Sequence, residues 1–373
     1  MKTAFSEAGF QVVEYAFPQS SVNTRNDEAL TTDLAKHIMQ EDADAVFSFN
    51  YFPVAAIAAA ACKVKYISWT YDSPSVQLYS KTIAFPTNYA FVFDSYDVQR
   101  LQGMGVQNVY ELPTAAANYD AICPSERERK AFSSEITMIG SMYTEEKHGF
   151  VKRLENLDEY AKGYVEGLVA AQKKIYGATI LETGLTEEMV RRIQKVAPIE
   201  GHGDGYETAG WTLANYFLAR LVTVEERREL LESLSEHHEV TLFTPSPTPN
   251  LPKVRNMGTL NYYEDAPKAM KCAKLNLNIS LRSIVHGIPL RCMDVLGCGG
   301  FLLTNYQMDF EKYFTAGEEY AYFESREDLL DKADYYLKHD KEREQMAQAA
   351  LSKVRSEHSF AKRLETILEV TGL

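Results

Sequence analysis

The stretch Leu275–Asn305, LNLNISLRSIVHGIPLRCMDVLGCGGFLLTN, decides how the rest of the chain is read. It opens with an apolar alternation, Leu275 to Ile279, that predicts a buried strand. A mixed stretch, Ser280 to Gly287, predicts a loop. Pro289 then starts a helix carrying Leu290, Met293, Asp294 and Leu296. That helix ends in Cys298-Gly299-Gly300, and Phe301 to Thr304 predicts the next strand. Proline at a helix start and glycine just past its end is the expected asymmetry. The amino end of such a helix points out of the carboxyl edge of its sheet, where free N–H groups and the helix dipole favour an anion. Asp294, one turn in, is placed to meet the hydroxyl pair of a ribose. Together these features predict the nucleotide half of a nucleotide-sugar site.

The flanking sequence alternates in the same way. Towards the amino end, Val240 to Phe243 (VTLF) predicts a strand, followed by a Pro-rich loop, Pro245 to Pro252, and a helix from Tyr263 to Cys272. Glu135 to Ile139 predicts the first strand of this unit. Phe150 to about Leu234 reads as helical, broken at Pro198 and at the GHGDG of residues 201–205, and forms a long insertion. Beyond the organising stretch come a helix near Phe310, a strand at Tyr320 to Phe323 and helices from Ser325 onward.

The first third repeats the pattern. Met1 to Gly9 predicts a helix, Gln11 to Tyr15 a strand, and Ala29 to Met39 a helix. Strands follow at Ala45 to Phe49, Tyr66 to Trp69, Asn88 to Phe93 and Asn108 to Leu112. Helices at Pro53 to Cys62 and Tyr96 to Gly103 lie between them. Strands alternating with helices predict a parallel sheet wrapped on both faces, with ligands at the strands' carboxyl ends. That places Asn50, Tyr51, Asp72 and Ser73 on a ligand edge. Beginning on a helix is unusual for such a unit, whose usual first strand is expected either to be lacking or to lie before Met1.

Composition narrows the class. The 373 residues are 45% hydrophobic and 12% aromatic, enough for two well-built cores, and the formal net charge is −13. No basic surplus exists to pair with a nucleic acid or an acidic membrane surface, so neither is an expected partner. The five cysteines show no CxxC and no metal spacing, which predicts reduced core thiols in a cytoplasmic protein. No apolar run approaches the roughly 18–20 residues of a membrane span. His237-His238 has no zinc-like partners, and Asp42-Ala43-Asp44 sits at the wrong edge of its strand to hold a metal. No metal is expected.

Long stretches resemble a known family. GIPLRCMDVLGCGGFLLTNYQMDFEKYF (287–314) with ADYYLKHDKEREQMAQAA (333–350) is similar to the C-terminal half of the spore-maturation-protein (CgeB-like) glycosyltransferases. YISWTYDSPSVQLYSKTIAFPTNYAFVFDSYDV (66–98) resembles their N-terminal domain, and EYAKGYVEGLVAAQKKIYG (159–177) their middle. The resemblance implies an α/β GT-B fold: two Rossmann-like domains facing a cleft, with a long helical insertion in the second. The expected parts are an acceptor-side domain over residues 1–130, and a nucleotide-sugar domain over 131–356 with its insertion at about 150–235. The expected third part is a last helix, 357–373, crossing back to the first domain. Better-known retaining enzymes of this fold carry two glutamates in the organising stretch. The second, which holds the ribose, falls on Asp294; the first falls on His286. They also carry an Arg and a Lys after the first strand of the second domain. Ser141 stands in place of the Arg, and Lys147 matches the Lys.

The candidate site follows. Asp294, Lys147, Tyr262, Tyr263 and Gly287 are assigned to the donor nucleotide, and His286 to its sugar or phosphates. Arg291 is assigned to the diphosphate, which its planar fork suits. Asp72 is assigned to the acceptor, as a general base if the reaction inverts configuration and as an orienting group if it retains it. Each has a plainer reading. Asp294 could be a helix acid worth a few tenths of a kcal/mol, Asp72 a turn residue, Lys147 a solvated cation and the tyrosines core. The expected reaction is transfer of a sugar from a nucleoside-diphosphate donor, UDP- or GDP-linked, to an unidentified acceptor (a glycan, protein or small molecule), with no bound cofactor. The alternatives are a non-catalytic nucleotide-sugar-binding or scaffold protein and a nucleotide-sugar epimerase. The helical insertion could cover the acceptor or join two copies in a homodimer.

Overall fold

The computed structural model describes residues 1–18, 20, 23–144, 150–199 and 203–373. The chain divides into two units. One holds Met1–Thr114, Glu200–Thr208 and Phe360–Leu373; the other holds Ala115–Ile199 and Ala209–Ser359.

In the first unit, β1 (Ala45–Phe49), β2 (Lys65–Thr70), β3 (Asn88–Val92) and β4 (Val109–Glu111) pair in parallel in sequence order. Helices α1 (Lys2–Glu7), α2 (Glu28–Gln40), α3 (Pro53–Cys62) and α4 (Ser95–Gly103) accompany them. Their limits are set by the expected chemistry. Asp27 caps α2 through Leu30 N at 2.9 Å, and α2 buries Leu30, Leu34 and Ile38 at helical spacing. Pro53 occupies the first turn of α3, and Lys63 in the left-handed region ends it. The last helix, Phe360–Thr371, belongs to this unit; Arg363 Nε donates to Pro113 O at 2.9 Å and Lys65 Nζ to Thr371 O at 2.6 Å.

One expected strand is absent. Gln11 to Tyr15 pairs with no strand, and Val13 is 47% exposed. The segment is held by aromatic contacts at its ends, Phe10 on Phe5 and Phe17 on Phe52, and not by backbone pairing. A β-branched, apolar run becomes a strand only where a sheet edge accepts it.

In the second unit the strands are β5 (Ser134–Ile139), β6 (Val240–Phe243), β7 (Arg255–Asn256), β8 (Ala273–Asn278), β9 (Leu302–Asn305) and β10 (Ala321–Phe323). All are parallel, in the order β10-β9-β8-β5-β6-β7. The chain runs outward from β5 to β7, returns to β8 beside β5, and then runs the other way. The reversal between β5 and β8 is a topological switch point, where the crossovers diverge and leave a crevice beyond the strands' carboxyl ends.

The helices of this unit are α5 (Glu126–Phe132), α6 (Phe150–Leu154), α7 (Glu159–Gln172), α8 (Glu187–Val196), α9 (Ala209–Thr212), α10 (Ala219–Ser235), α11 (Ala266–Cys272), α12 (Leu290–Gly297), α13 (Phe310–Tyr313), α14 (Arg326–Lys338) and α15 (Asp340–Glu357). The organising stretch supplies β8, α12 and β9, with Pro289 as the cap residue of α12. The helix expected from Tyr263 starts only at Ala266. Asn261 Oδ1 accepts from the N–H groups of Tyr263 and Glu264 and holds a turn there.

Helices α6 to α10 form the insertion between β5 and β6, and they bury a core of their own. Ala161, Val165 and Val169 of α7 meet Met189 and Ile193 of α8, with Leu213, Leu218 and Val222 beyond. A buried ion pair ties α10 to the loop after β8. Arg282 Nε lies 2.8 Å from Glu226 Oε2, and its Nη2 lies 2.5 Å from Oε1. Tyr176 donates to the same carboxylate at 2.6 Å and lies under the guanidinium at 3.9 Å.

Gly299 has φ +73°, the left-handed turn that ends α12. Gly300 is fixed by space: a Cβ there would lie 2.6 Å from Asn276 Nδ2 and 3.2 Å from Met270 O. Gly300→Ala is therefore expected to cost about 1–3 kcal/mol of stability, read by equilibrium denaturation; an unchanged midpoint would mean the α12–β9 turn has room to spare. Arg282→Ala, which strands Glu226 in the core, is expected to cost about 3–5 kcal/mol. A loss below 1 kcal/mol would show that the pair is not what anchors the insertion.

Candidate functional site

The carboxyl ends of β5 and β8 lead into two loops. After β8 the chain is tied down at every step. Asn278 Nδ2 donates to Thr304 Oγ1 at 2.9 Å, Ser280 N to Asn305 Oδ1 at 2.7 Å, and Arg282 N to Thr223 Oγ1 at 3.0 Å. Gln307 Nε2 donates to Gly287 O at 3.1 Å, and Asp309 N to His286 O at 3.0 Å. His286 and Gly287 are thus held as a fixed lead-in to α12, and His286 is buried.

On the first turn of α12, Arg291 lays its guanidinium over the Tyr262 ring, 4.7 Å from the centroid. Its Nη1 is buried and meets no hydrogen-bond partner among the described residues. A buried guanidinium nitrogen without an acceptor is costly, and an incoming anion would satisfy it.

Asp294 is 4% exposed. Tyr119 Oη donates to its Oδ1 at 2.6 Å, and Tyr262 Oη donates to its Oδ2. Burial pushes the carboxyl up, while the two tyrosine hydroxyls and Arg291 pull the other way. Burial also raises both phenols, and for Tyr119 the Asp294 charge adds to it. Tyr119 is itself anchored, since Lys271 Nζ donates to Tyr119 O at 2.6 Å and to Ile122 O at 2.7 Å. Tyr262 is half-buried, whereas Tyr263 is 81% exposed, so the core-packing reading fails for Tyr263.

A cavity of about 550 Å³ lies at the carboxyl ends of β6 and β7, lined by Thr244, Pro245, Ser246, Pro247, Asn256, Gly258 and Thr259. It joins the loop after β5, because Met142 N donates to Ser246 Oγ at 3.3 Å. The sequence marked Pro245 to Pro252 only as a loop. A two-residue strand and a run of small polar residues carry no periodic signal, so this wall was not foreseen.

The structure therefore brings His286, Gly287, Arg291, Asp294 and Tyr262 together around α12 in the second unit. Lys147 lies outside the described residues. Asp72 belongs to the first unit, where it is exposed at the end of β2. Asn50, with φ +60°, donates from Nδ2 to Asp72 Oδ2 at 2.7 Å and accepts Tyr71 N and Asp72 N on Oδ1. Among the described residues no helix is long and apolar enough to cross a membrane, and no three His, Cys, Asp or Glu side chains gather as a metal site requires.

Residues 226–369 match the model of a family described as glycosyl transferase-like. No curated protein matches the chain in sequence. Among solved structures, the chain is similar to HepE of Anabaena in complex with UDP and glucose. The identity is 9% and the TM-score 0.56, over 100% of this chain and 88% of that one. It is also similar to sucrose-phosphate synthase of Thermosynechococcus elongatus, at 10% identity and a TM-score of 0.51, over 96% and 80% of the two chains. Identities this low speak to the fold. The chain has the fold of the GT-B glycosyltransferases, and its residues 226–369 match the glycosyl transferase-like family.

Proposed function

We propose that this chain is a hexosyltransferase-like, metal-independent enzyme that moves a sugar from a UDP- or GDP-linked donor to an acceptor hydroxyl. The observation that carries the reading is the switch point of the second sheet. An Arg291 nitrogen without a partner among the described residues lies beside it, and a cavity of about 550 Å³ lies further along the same carboxyl edge, beyond β6 and β7, in a unit whose residues 226–359 fall within the family match. The cavity suits a base, and Arg291 with the amino end of α12 suits the phosphates. His286 takes the sugar side of the donor, with Gly287 beside it, and Lys147 is kept for the phosphates on the resemblance alone.

Asp294 is assigned to the ribose. Its oxygens already accept two hydroxyl hydrogen bonds, from Tyr119 and Tyr262. A ribose hydroxyl replaces the Tyr262 hydroxyl donor for donor, so the exchange leaves no acceptor unsatisfied. In the reaction the acceptor oxygen bonds to the anomeric carbon as the bond from that carbon to the diphosphate oxygen breaks. The diphosphate leaves with the electron pair, and its charge is met by fixed cations and N–H groups. The acceptor proton goes to a carboxylate, and Asp72, oriented by Asn50, is the proposed base.

The test is titration of UDP and GDP, with assays of sugar transfer and free diphosphate release from UDP- and GDP-sugars. Asp294→Ala is expected to weaken nucleotide binding at least tenfold; equal affinities would remove Asp294 from the site. Asp72→Asn is expected to slow turnover roughly 10²–10⁴-fold with nucleotide affinity within twofold. Binding without transfer would instead favour a carrier, and an altered donor sugar without transfer an epimerase.

A further inference from the structure

We propose that Arg227, presented by the last helix of the insertion, is a diphosphate-binding residue at the switch point of the second sheet; this rests on the function proposed above. Arg227 lies on α10, and its guanidinium reaches the carboxyl ends of the two central strands. Nε lies 3.1 Å from Ile279 O, just after β8; Nη2 donates to the same oxygen, and Nη1 to Ser141 O, just after β5. This is the crevice flanked by the strands whose order reverses.

Two features separate this arginine from a structural staple. The first is charge. Among the described residues no carboxylate forms an ion pair with it, and the neighbouring Glu226 is engaged by Arg282. The side chain is nevertheless 7% exposed, and burial presses its guanidinium towards neutrality. Carbonyl oxygens alone could be met by a neutral amide. Sinking a full cation among them is unfavourable unless a counter-charge arrives. The second is the company it keeps. Arg291 adds a second positive field that acts on Arg227 in the same unfavourable direction, against the favourable fields of Tyr143 and of Glu226, which Arg282 already engages. Two like charges held together in a protein of net charge −13 form a site that a diphosphate would relieve.

The donor geometry agrees. A guanidinium has five N–H groups. Three meet the carbonyls of Ser141 and Ile279, and Tyr143, whose ring lies 5.1 Å from the guanidinium carbon, takes at most one more. Among the described residues one donor of the fork meets no acceptor. Tyr143 itself holds φ +55°, a left-handed conformation that a bulky residue rarely adopts, with its ring beside this group. The helical insertion would then be part of the donor site, through α10.

The test uses the full chain and compares UDP and GDP by calorimetry with uridine and guanosine by ligand-observed competition. Arg227→Gln is expected to weaken the diphosphates at least tenfold and leave the nucleosides within twofold. Arg227→Lys is expected to recover part of the loss. Should the Gln variant not fold, Arg227→Lys decides alone. Loss of threefold or more for the diphosphates with unchanged nucleosides supports the assignment, and wild-type affinity overturns it. Equal losses for nucleoside and diphosphate mean a structural staple and overturn it. A wild-type protein that binds neither diphosphate overturns the proposed function itself, and Arg227 with it.

Discussion

The pairing of β5 with β8 is the constraint on which the second unit depends. Ser134 faces Ala273 and Ile136 faces Leu275 across it, yet these strands are separated by the whole helical insertion and by β6 and β7. Bringing them together joins the unit's two halves into one sheet with a core running from Ile136 and Met138 to Leu275, Leu277 and Ile279. The same pairing creates the crevice, since crossovers that depart in opposite directions cannot cover the strand ends between them. Fold and candidate site thus follow from one long-range contact. The Arg282–Glu226 pair keeps the insertion beside that contact.

Net charge is a poor guide to what such a crevice holds. The chain is acidic overall, which argues against polyanion partners. Along the second sheet's carboxyl edge, however, Arg227 and Arg291 are placed without ion-pair partners among the described residues. A small anion responds to the local field inside a low-dielectric crevice far more than to carboxylates scattered over a screened surface. A chain can therefore be acidic and still hold a diphosphate.

Much of the fold was legible because it rests on local chemistry. Runs such as AVFSF and VTLF are strands under their plain apolar signal, and Pro53 and Pro289 mark helix starts as expected. The failures share a cause. Gln11 to Tyr15 has the β-branched, apolar content of a strand but no backbone partner among the described residues, and Arg255–Asn256 is a strand with no apolar residue at all. Pairing is a tertiary property, and where packing overrides pattern a single sequence does not reveal it.

The candidate site divides along the same line. Arg291 and Asp294 could be singled out because they lie in one helix turn after a loop, where spacing implies placement. Arg227 could not. It sits in the charged run Glu225-Glu226-Arg227-Arg228-Glu229, where every side chain reads as a solvated helix face. Its partners are 52 and 86 residues away and are backbone carbonyls, which have no signature in a sequence. What distinguishes Arg227 from Arg228 is only the face of α10 on which it falls. That face is chosen by Val222, Leu230, Leu231 and Leu234 packing inward, not by any property of the arginine. Apolar residues of α10 thus decide which cation reaches the crevice, so the electrostatics of this edge are set by hydrophobic periodicity.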